Sequence, residues 1–151
     1  MKIIQIISNL TLIISLISCS NNKPRDVIEN IQDLYKAGKF KEVRKYYTKG
    51  SNLAMDELEK LIPKSKNYRE ETNKKFANGA EWEVISENIY DTVAEVKIKY
   101  NEHPVENMKG LEVQFSMKKE DNMWKINNED DLKMSIEMIK KMNEQLKSFI
   151  K

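Results

Sequence analysis

The spacing of apolar residues changes twice along this chain, and this change limits the folds that it can adopt. From residue 24 to residue 76 apolar residues recur every three or four positions, as on one face of a helix. After Gly79 they alternate with polar residues, as in strands with one buried face. From Glu129 the helical spacing returns. The order predicts an α+β fold in which N-terminal helices pack on an antiparallel sheet of three to four strands, followed by one long C-terminal helix.

Glycine and proline residues mark the expected ends of the helices that precede the sheet. The first helix is expected to end at Gly38, because glycine readily adopts the left-handed conformation that follows many helices. A shorter second helix is expected over residues 40–49, with Gly50 as its stop and Ser51 as the N-cap of the next helix. That third helix should end or kink at Pro63.

Short links join the predicted strands. The segments that show the alternation are residues 82–89, 94–100, 111–117 and 123–126. Asp91 and the pair 121–122 fit tight turns, and residues 101–110 form a longer loop. The third strand is expected to direct alternate residues from Leu111 to Met117 toward the core. Links of this length favour an antiparallel meander.

The final helix is predicted over residues 129–150, with Asn127 or Asn128 as its N-cap. Its main apolar stripe consists of Leu132, Ile136, Ile139, Met142, Leu146 and Phe149 or Ile150. A second ridge consists of Met134, Met138 and Met142, which are interpreted as core filler rather than as an adaptable binding surface. Three destinations remain open for the helix: the exposed side of the sheet, a coiled-coil seam, or a partner.

The N-terminal residues have the features of a secretory signal. Lys2 supplies a positive charge, and residues 3–18 are mostly apolar or small, with too few apolar residues to span a bilayer well. Residues 16–19, Leu-Ile-Ser-Cys, resemble the lipobox of bacterial lipoproteins, in which the cysteine thiol carries a diacylglycerol. Cys19 is the only cysteine of the chain, and it lies where a lipobox requires one. We therefore expect residues 1–18 to be a lipoprotein signal peptide.

Lipidation would divide the chain into four parts. Residues 1–18 are the signal peptide, residues 19–23 the lipidated Cys19 and its tether, residues 24–126 the folded domain and residues 127–151 the C-terminal helix. The expected place is the bacterial cell envelope, on a periplasmic or extracellular face, with palmitate or a similar acyl chain in the membrane. Ser20 follows the cysteine in place of the aspartate that retains many lipoproteins in the inner membrane, which is compatible with the outer membrane.

The charge balance argues against nucleic acid as a partner. The formal net charge of the chain is +2, whereas nucleic-acid-binding domains usually concentrate positive charge on one face. The richest basic stretch is residues 36–49. We interpret it as a solvated helical face, and contact with anionic lipid head groups is the alternative.

Two segments carry a resemblance to a known family. Residues 34–40 read LYKAGKF, and residues 113–126 read VQFSMKKEDNMWKI. In their order of helices and strands, residues 24–126 resemble uncharacterised bacterial lipoprotein domains of the nuclear-transport-factor-2-like superfamily. The resemblance implies a cystatin-like cone, in which helices cover a curved sheet that can enclose a small apolar ligand. The residues that could line such a cavity, or simply fill it, are Trp82, Val84, Tyr100, Val113, Phe115 and Trp124.

Catalytic and metal-binding residues are scarce in the sequence. His103 is the only histidine, and it precedes Pro104 in a polar loop where we expect solvent exposure. Enzymes of the resembled superfamily place Asp, Tyr or His inside the cone, and Tyr100 is the matching candidate, although a structural hydrogen bond explains it better. Residues 127–131 lack the spacing of a calcium loop and suit helix capping. We expect neither a catalytic residue nor a metal or other cofactor.

Three hypotheses of different class follow. The first is a non-enzymatic envelope lipoprotein whose domain binds an envelope protein or a small apolar ligand. The second is a structural or assembly module that acts through the C-terminal helix. The third is a cone enzyme of the isomerase or dehydratase type, which requires an ionisable group inside the cone.

Overall fold

Helices precede and follow an antiparallel sheet in the part of the chain that the computed structural model describes, residues 23–61 and 65–149. In chain order the elements are α1 (Pro24–Lys36), a 3₁₀ helix (Glu42–Tyr46), α2 (Lys49–Leu61), α3 (Ser65–Gly79), β1 (Glu81–Tyr90), β2 (Val93–Glu102), a second 3₁₀ helix (Glu106–Met108), β3 (Glu112–Glu120), β4 (Met123–Ile126) and α4 (Glu129–Phe149). The predicted α+β class and the long C-terminal helix are confirmed. Pro63 lies outside the described residues, between the end of α2 and the start of α3.

The four strands form a meander in the order β1-β2-β3-β4, with each neighbouring pair antiparallel. Two tight turns connect the outer pairs. Asp91, Asp121 and Asn122 have φ values of 55°, 53° and 61°. Asp and Asn tolerate this left-handed region better than other residues with a Cβ, because their short polar side chains bond locally. Both of these tight turns therefore lie at the residues that were predicted from the sequence.

A β-bulge divides β1 into two halves. Val84 lies opposite Ile98, but Ser86 lies opposite Lys97, so Ile85 is the extra residue. As a result Glu87 lies opposite Val96, on the face of the sheet that is buried. Bulges of this kind bend the strand and increase its twist.

Helix α1 packs on this buried face and runs antiparallel to β1. In its C-terminal half, the side-chain oxygen of Gln32 accepts a hydrogen bond of 2.8 Å from the backbone N–H of Trp82. At its N-terminus the Arg25 N–H donates to the Glu87 carboxylate, also at 2.8 Å. The buried hydrophobic cluster between helix and sheet consists of Val27, Ile28, Ile31, Val43, Ala80, Trp82, Ala94, Val96, Ile98, Tyr100, Met117, Trp124 and Ile126.

The expected second helix over residues 40–49 is wrong, as is the role expected for Gly50 and Ser51. Only a 3₁₀ helix forms, and Tyr47 then becomes extended and forms a parallel bridge with Ile126. Thr48 is the residue that caps α2, since its Oγ1 accepts a hydrogen bond of 3.2 Å from the Ser51 N–H. The bridge between Tyr47 and Ile126, 79 residues later, keeps Tyr47 extended and so fixes the start of α2 at Lys49. A contact between residues so far apart in the chain is not visible in the local sequence.

Helix α4 packs against α2 rather than on the sheet. Its first turn lies so close to the first turn of α2 that a Cβ at Gly50 would overlap the Glu129 carboxylate. Further along, Ile136 is buried, and Lys140 forms an ion pair of 2.7 Å with Glu57. Asn128 lies at the position before the first helical residue, and its backbone carbonyl oxygen accepts a hydrogen bond from the Leu132 N–H. Its side-chain Oδ1 is buried without a hydrogen-bond partner among the described residues, so the expected side-chain cap does not form.

Candidate functional site

All six residues named as cavity-lining or cavity-filling candidates lie on the inner face of the sheet. Trp82, Tyr100 and Trp124 are buried in the core cluster. Val84, Val113 and Phe115 are partly buried and pack against that cluster. Leu111, which was expected to face inward, precedes β3 and is 44% exposed, so that expectation is wrong.

Aromatic rings cover one end of the sheet, where β1 starts and β2 ends. Phe76 of α3 is their centre, with ring centroids 5.2 Å from Tyr35, 5.8 Å from Trp82 and 6.2 Å from Tyr100. Most of these pairs have the edge-to-face geometry that aromatic quadrupoles favour. We call this the closed end of the sheet.

His103 belongs to the closed end, where its ring is only partly exposed although the neighbouring loop residues are exposed as expected. The side chain is partly buried, with its ring centroid 4.8 Å from Tyr100 and 5.4 Å from Phe76. The Val105 N–H donates a hydrogen bond of 3.0 Å to the His103 Nδ1. The imidazole therefore packs as an aromatic ring and accepts a backbone hydrogen bond, two contacts that support a structural role.

Burial raises the pKa of two tyrosines. The pKa of Tyr100 lies above its ordinary value of 10.0, first because the phenol is desolvated and second because Tyr35 is near. Desolvation raises the pKa of Tyr47 further. Ionising either phenol in place would therefore cost more free energy than ionising an exposed tyrosine.

A pocket of about 300 Å³ with both charged and apolar lining residues adjoins the closed end. It is lined by Lys36, Ala77, Asn78, Gly79, Ala80, Glu81 and Glu102, none of which belongs to the six candidates. Its charged groups already have partners, since Lys36 pairs with Glu81 at 3.0 Å and Lys109 with Glu102 at 2.6 Å. This pocket therefore differs in chemistry from the apolar cavity that the resemblance implies.

Opposite the closed end, apolar side chains are exposed around the turn between β1 and β2. Ile89 is 50% exposed, Tyr90 59% and Val93 47%. We call this group the open end of the sheet. This surface was not predicted from the sequence, although Tyr90 and Val93 flank the turn at Asp91, and an apolar pair beside a turn is a signal of such a surface.

A stripe of exposed apolar side chains runs along α4 from its second turn to near its C-terminal end. Met134 and Met138 are each 64% exposed, Met142 is 52% and Leu146 is 53%. Their spacing of four places them in one row, while the buried Ile136 faces α2. The interpretation of these methionines as core filler is wrong, because the helix packs on α2 by another face.

The basic stretch 36–49 is largely neutralised by neighbouring acids. Arg44 binds Asp56 at 3.2 Å, and its other guanidinium nitrogen contacts Glu59. The remaining pairs within hydrogen-bonding or ion-pair distance are Lys36 with Glu81, Lys39 and Lys45 with Glu42, and Lys49 with Asp121. Because most of these basic side chains lie next to acidic ones, we expect the stretch to attract a polyanion only weakly.

The structure bears in different ways on the expected lipid anchor, on metal sites and on membrane-spanning helices. Cys19 and the whole of residues 1–18 lie outside the described residues. Over residues 23–61 and 65–149, no set of three or more His, Cys, Asp and Glu side chains is grouped as a metal site would need. Within the same ranges, no helix is long and apolar enough to cross a membrane.

A family model for a domain of unknown function, DUF4878, matches residues 17–127. The chain belongs to the DUF4878 family. The matched range includes Cys19, all four strands and helices α1 to α3, and it ends two residues before α4 begins at Glu129. A search of curated proteins found none with significant similarity to this chain. The stripe on α4 thus lies outside the part of the chain that the DUF4878 model covers.

Proposed function

We propose that this DUF4878 protein is a bacterial envelope lipoprotein, anchored by lipid on Cys19, whose domain is a non-enzymatic binding module of the nuclear-transport-factor-2-like type. The observation that carries the binding role is the stripe of Met134, Met138, Met142 and Leu146 on α4, each more than half exposed. Apolar rows of this kind on an otherwise polar helix are typical of interaction surfaces.

The lipid anchor is supported by the sequence around Cys19. The residues Leu-Ile-Ser-Cys follow an apolar stretch with a basic start, and the chain contains no other cysteine. Several acyl chains on one residue hold a protein on a bilayer, whereas a single chain binds reversibly. The protein would then face the periplasm or the exterior, and Ser20 after the cysteine is compatible with the outer membrane.

The packing of the inner face favours binding over catalysis. Cone enzymes need an ionisable group inside, and Glu87 is an ionisable group on that face. Its carboxylate, however, accepts the Arg25 N–H at 2.8 Å and so caps α1. The ring of Tyr100 is packed between Phe76, Trp82 and His103, and its burial raises the pKa of the phenol further from neutral pH. These contacts give both groups structural roles.

The partner of the α4 stripe is a second copy of α4 in antiparallel orientation. The first turn of α4 contains Glu129, Asp130 and Asp131, and its last turn contains Lys147. Antiparallel packing places the acidic turn of each helix beside the basic turn of the other, and it also opposes the two helix dipoles favourably. Methionine side chains adapt readily to such a self-complementary contact.

Cross-linking in isolated membranes tests the dimer. Met138 lies near the middle of α4, so the two copies of this residue face each other in an antiparallel pair. We expect the variant Met138→Cys to form disulfide-linked dimers under mild oxidation. The matched control is Val105→Cys, which is similarly exposed at 56% but lies in the loop after β2. Equal cross-linking of both variants, or none at residue 138, would contradict the α4 contact.

The anchor is tested separately by replacing the cysteine. The full chain should incorporate labelled palmitate and sediment with membranes, and the Cys19→Ser variant should do neither. Ser18→Ala is the matched control, because alanine is also small and preserves the cleavage site that a lipobox requires. Sedimentation and labelling that survive Cys19→Ser would show that the anchor is wrongly assigned.

A further inference from the structure

We propose that the open end of the sheet, formed by Ile89, Tyr90 and Val93, lies on the lipid bilayer and inserts these side chains into its interface. This inference rests on the proposed lipid anchor and extends it from the tether to the folded domain. The occupant of the exposed apolar surface is the membrane itself, rather than a second protein.

The direction of α1 brings the start of the domain to this end of the sheet. The Arg25 N–H, in the first turn of the helix, binds Glu87, which lies three residues before Tyr90 in β1. The C-terminal half of α1 binds Trp82, at the other end of the same strand. Lys23 precedes the helix, so the chain enters the domain beside the turn that carries the exposed apolar residues.

The tether is too short to hold the open end far from the lipid. Four peptide units separate Cys19 from Lys23, and an extended chain spans at most about 3.6 Å per residue, which gives a reach of about 14 Å. The headgroup region of one leaflet is itself about 5–8 Å thick. With the lipidated cysteine at the surface, the N-terminus of α1 and the neighbouring turn therefore remain close to the headgroups.

The chemistry of the open end suits the interface of a bilayer. A tyrosine ring is apolar on its body and polar at its tip, and such rings concentrate at the headgroup level of membranes. Ile89 and Val93 add aliphatic surface on either side of the turn, and they are 50% and 47% exposed. Nearby charges are of both signs, with Asp91 in the turn and Lys118 opposite Val93. Contact therefore depends on apolar insertion and requires no anionic lipid.

Depth measurement on the intact lipoprotein tests the proposal. The full chain is reconstituted into phosphatidylcholine vesicles, and the fluorophore NBD is attached to a single introduced cysteine, Tyr90→Cys or Val93→Cys. Since lipid occupies the thiol of Cys19, the introduced thiol is the only one available to the dye. Val105→Cys is the control, because Val105 is 56% exposed and lies beyond His103 at the closed end. We expect quenching by doxyl-labelled lipid to be at least about threefold stronger at residues 90 and 93.

The possible results separate the two proposals. If the vesicles float with the protein and the labels at residues 90 and 93 are quenched no more than the label at 105, the membrane contact is wrong and the anchor stands. If the intact protein does not float with the vesicles, the anchor is wrong and the contact inferred from it is also wrong. Strong quenching at 90 and 93 but not at 105 supports both.

Discussion

The two ends of the sheet use aromatic and apolar side chains in opposite ways. At the closed end Phe76, Tyr100 and His103 pack on one another, and α3 supplies the central ring. At the open end Ile89 and Tyr90 extend past the N-terminus of α1 and are at least half exposed. The residue types are similar, so the difference arises from which helix reaches which end. Exposure in the fold, rather than hydrophobicity in the sequence, distinguishes packing from a surface available for contact.

The largest expected difference between the ends is in stability. Phe76→Ala removes ring contacts with Tyr35, Trp82, Tyr100 and His103. Because Phe76 is partly rather than fully buried, we expect a loss of about 3 kcal/mol in the free energy of unfolding, at the lower limit for such truncations. Tyr90→Ala at the open end should change it by less than about 0.5 kcal/mol. Urea denaturation followed by circular dichroism measures both, and equal losses would abolish the distinction between the ends.

Alkaline pH should also distinguish the ends. The pKa of Tyr100 in the folded protein is above 10.0, whereas in the unfolded chain it returns to that value. Above pH 10 the unfolded state therefore binds fewer protons than the folded state, and stability falls as pH rises. The slope approaches about 1.4 kcal/mol per pH unit for each such tyrosine.

The variant Tyr100→Phe tests that assignment. It should flatten the decline in stability between pH 10 and pH 11, leaving the part due to Tyr47, whose pKa is also raised by burial. Tyr90→Phe is the control from the open end, where the side chain is 59% exposed. The measurement is the urea denaturation midpoint of each variant between pH 10 and pH 11. Identical pH profiles for the two variants would contradict the assignment of the decline to Tyr100.

A smaller effect is expected at the contact that fixes α1 over the open end. Glu87→Ala removes the carboxylate that accepts the Arg25 N–H, and loss of such a cap costs about 1 kcal/mol. Glu83→Ala is the control, since Glu83 lies in the same strand and is exposed. Amide hydrogen exchange of Arg25 should accelerate in the first variant alone. Unchanged exchange would mean that Glu87 does not hold the start of the helix.

Local patterns predicted most of the fold, because they determine which face of each element is buried. The alternation from Ala94 to Tyr100 lies where the structure has β2, and the turn residues Asp91 and Asn122 lie in the tight turns between β1 and β2 and between β3 and β4. The start of α2 was missed, because it depends on the bridge between Tyr47 and Ile126. The position of α4 was also missed, since its contact with α2 comes from residues distant in the chain.

The candidate surfaces were harder to predict than the fold. The six inner-face residues were assigned to the correct face, because β alternation is visible in the sequence. The exposed stripe on α4 was not predicted, because apolar spacing alone does not show which of the two apolar ridges of α4 a neighbouring helix will cover. The ring contacts of His103 depend on Phe76, which belongs to a different element 27 residues earlier.

The single extra residue at Ile85 has a consequence for how this strand can vary. It reverses which side of the strand faces inward, so that Glu87 meets α1 while Ile89 and Tyr90 point to opposite sides beyond it. If β1 continued past Val84 without the bulge, Ser86 and Asn88 would turn inward and Glu87 outward, whereas deleting Ile85 would remove the bulge and leave Glu87 opposite Val96. The α1 cap is therefore compatible with two forms of this strand, one with the bulge at Ile85 and one that lacks this residue and alternates regularly from Val84 to Glu87.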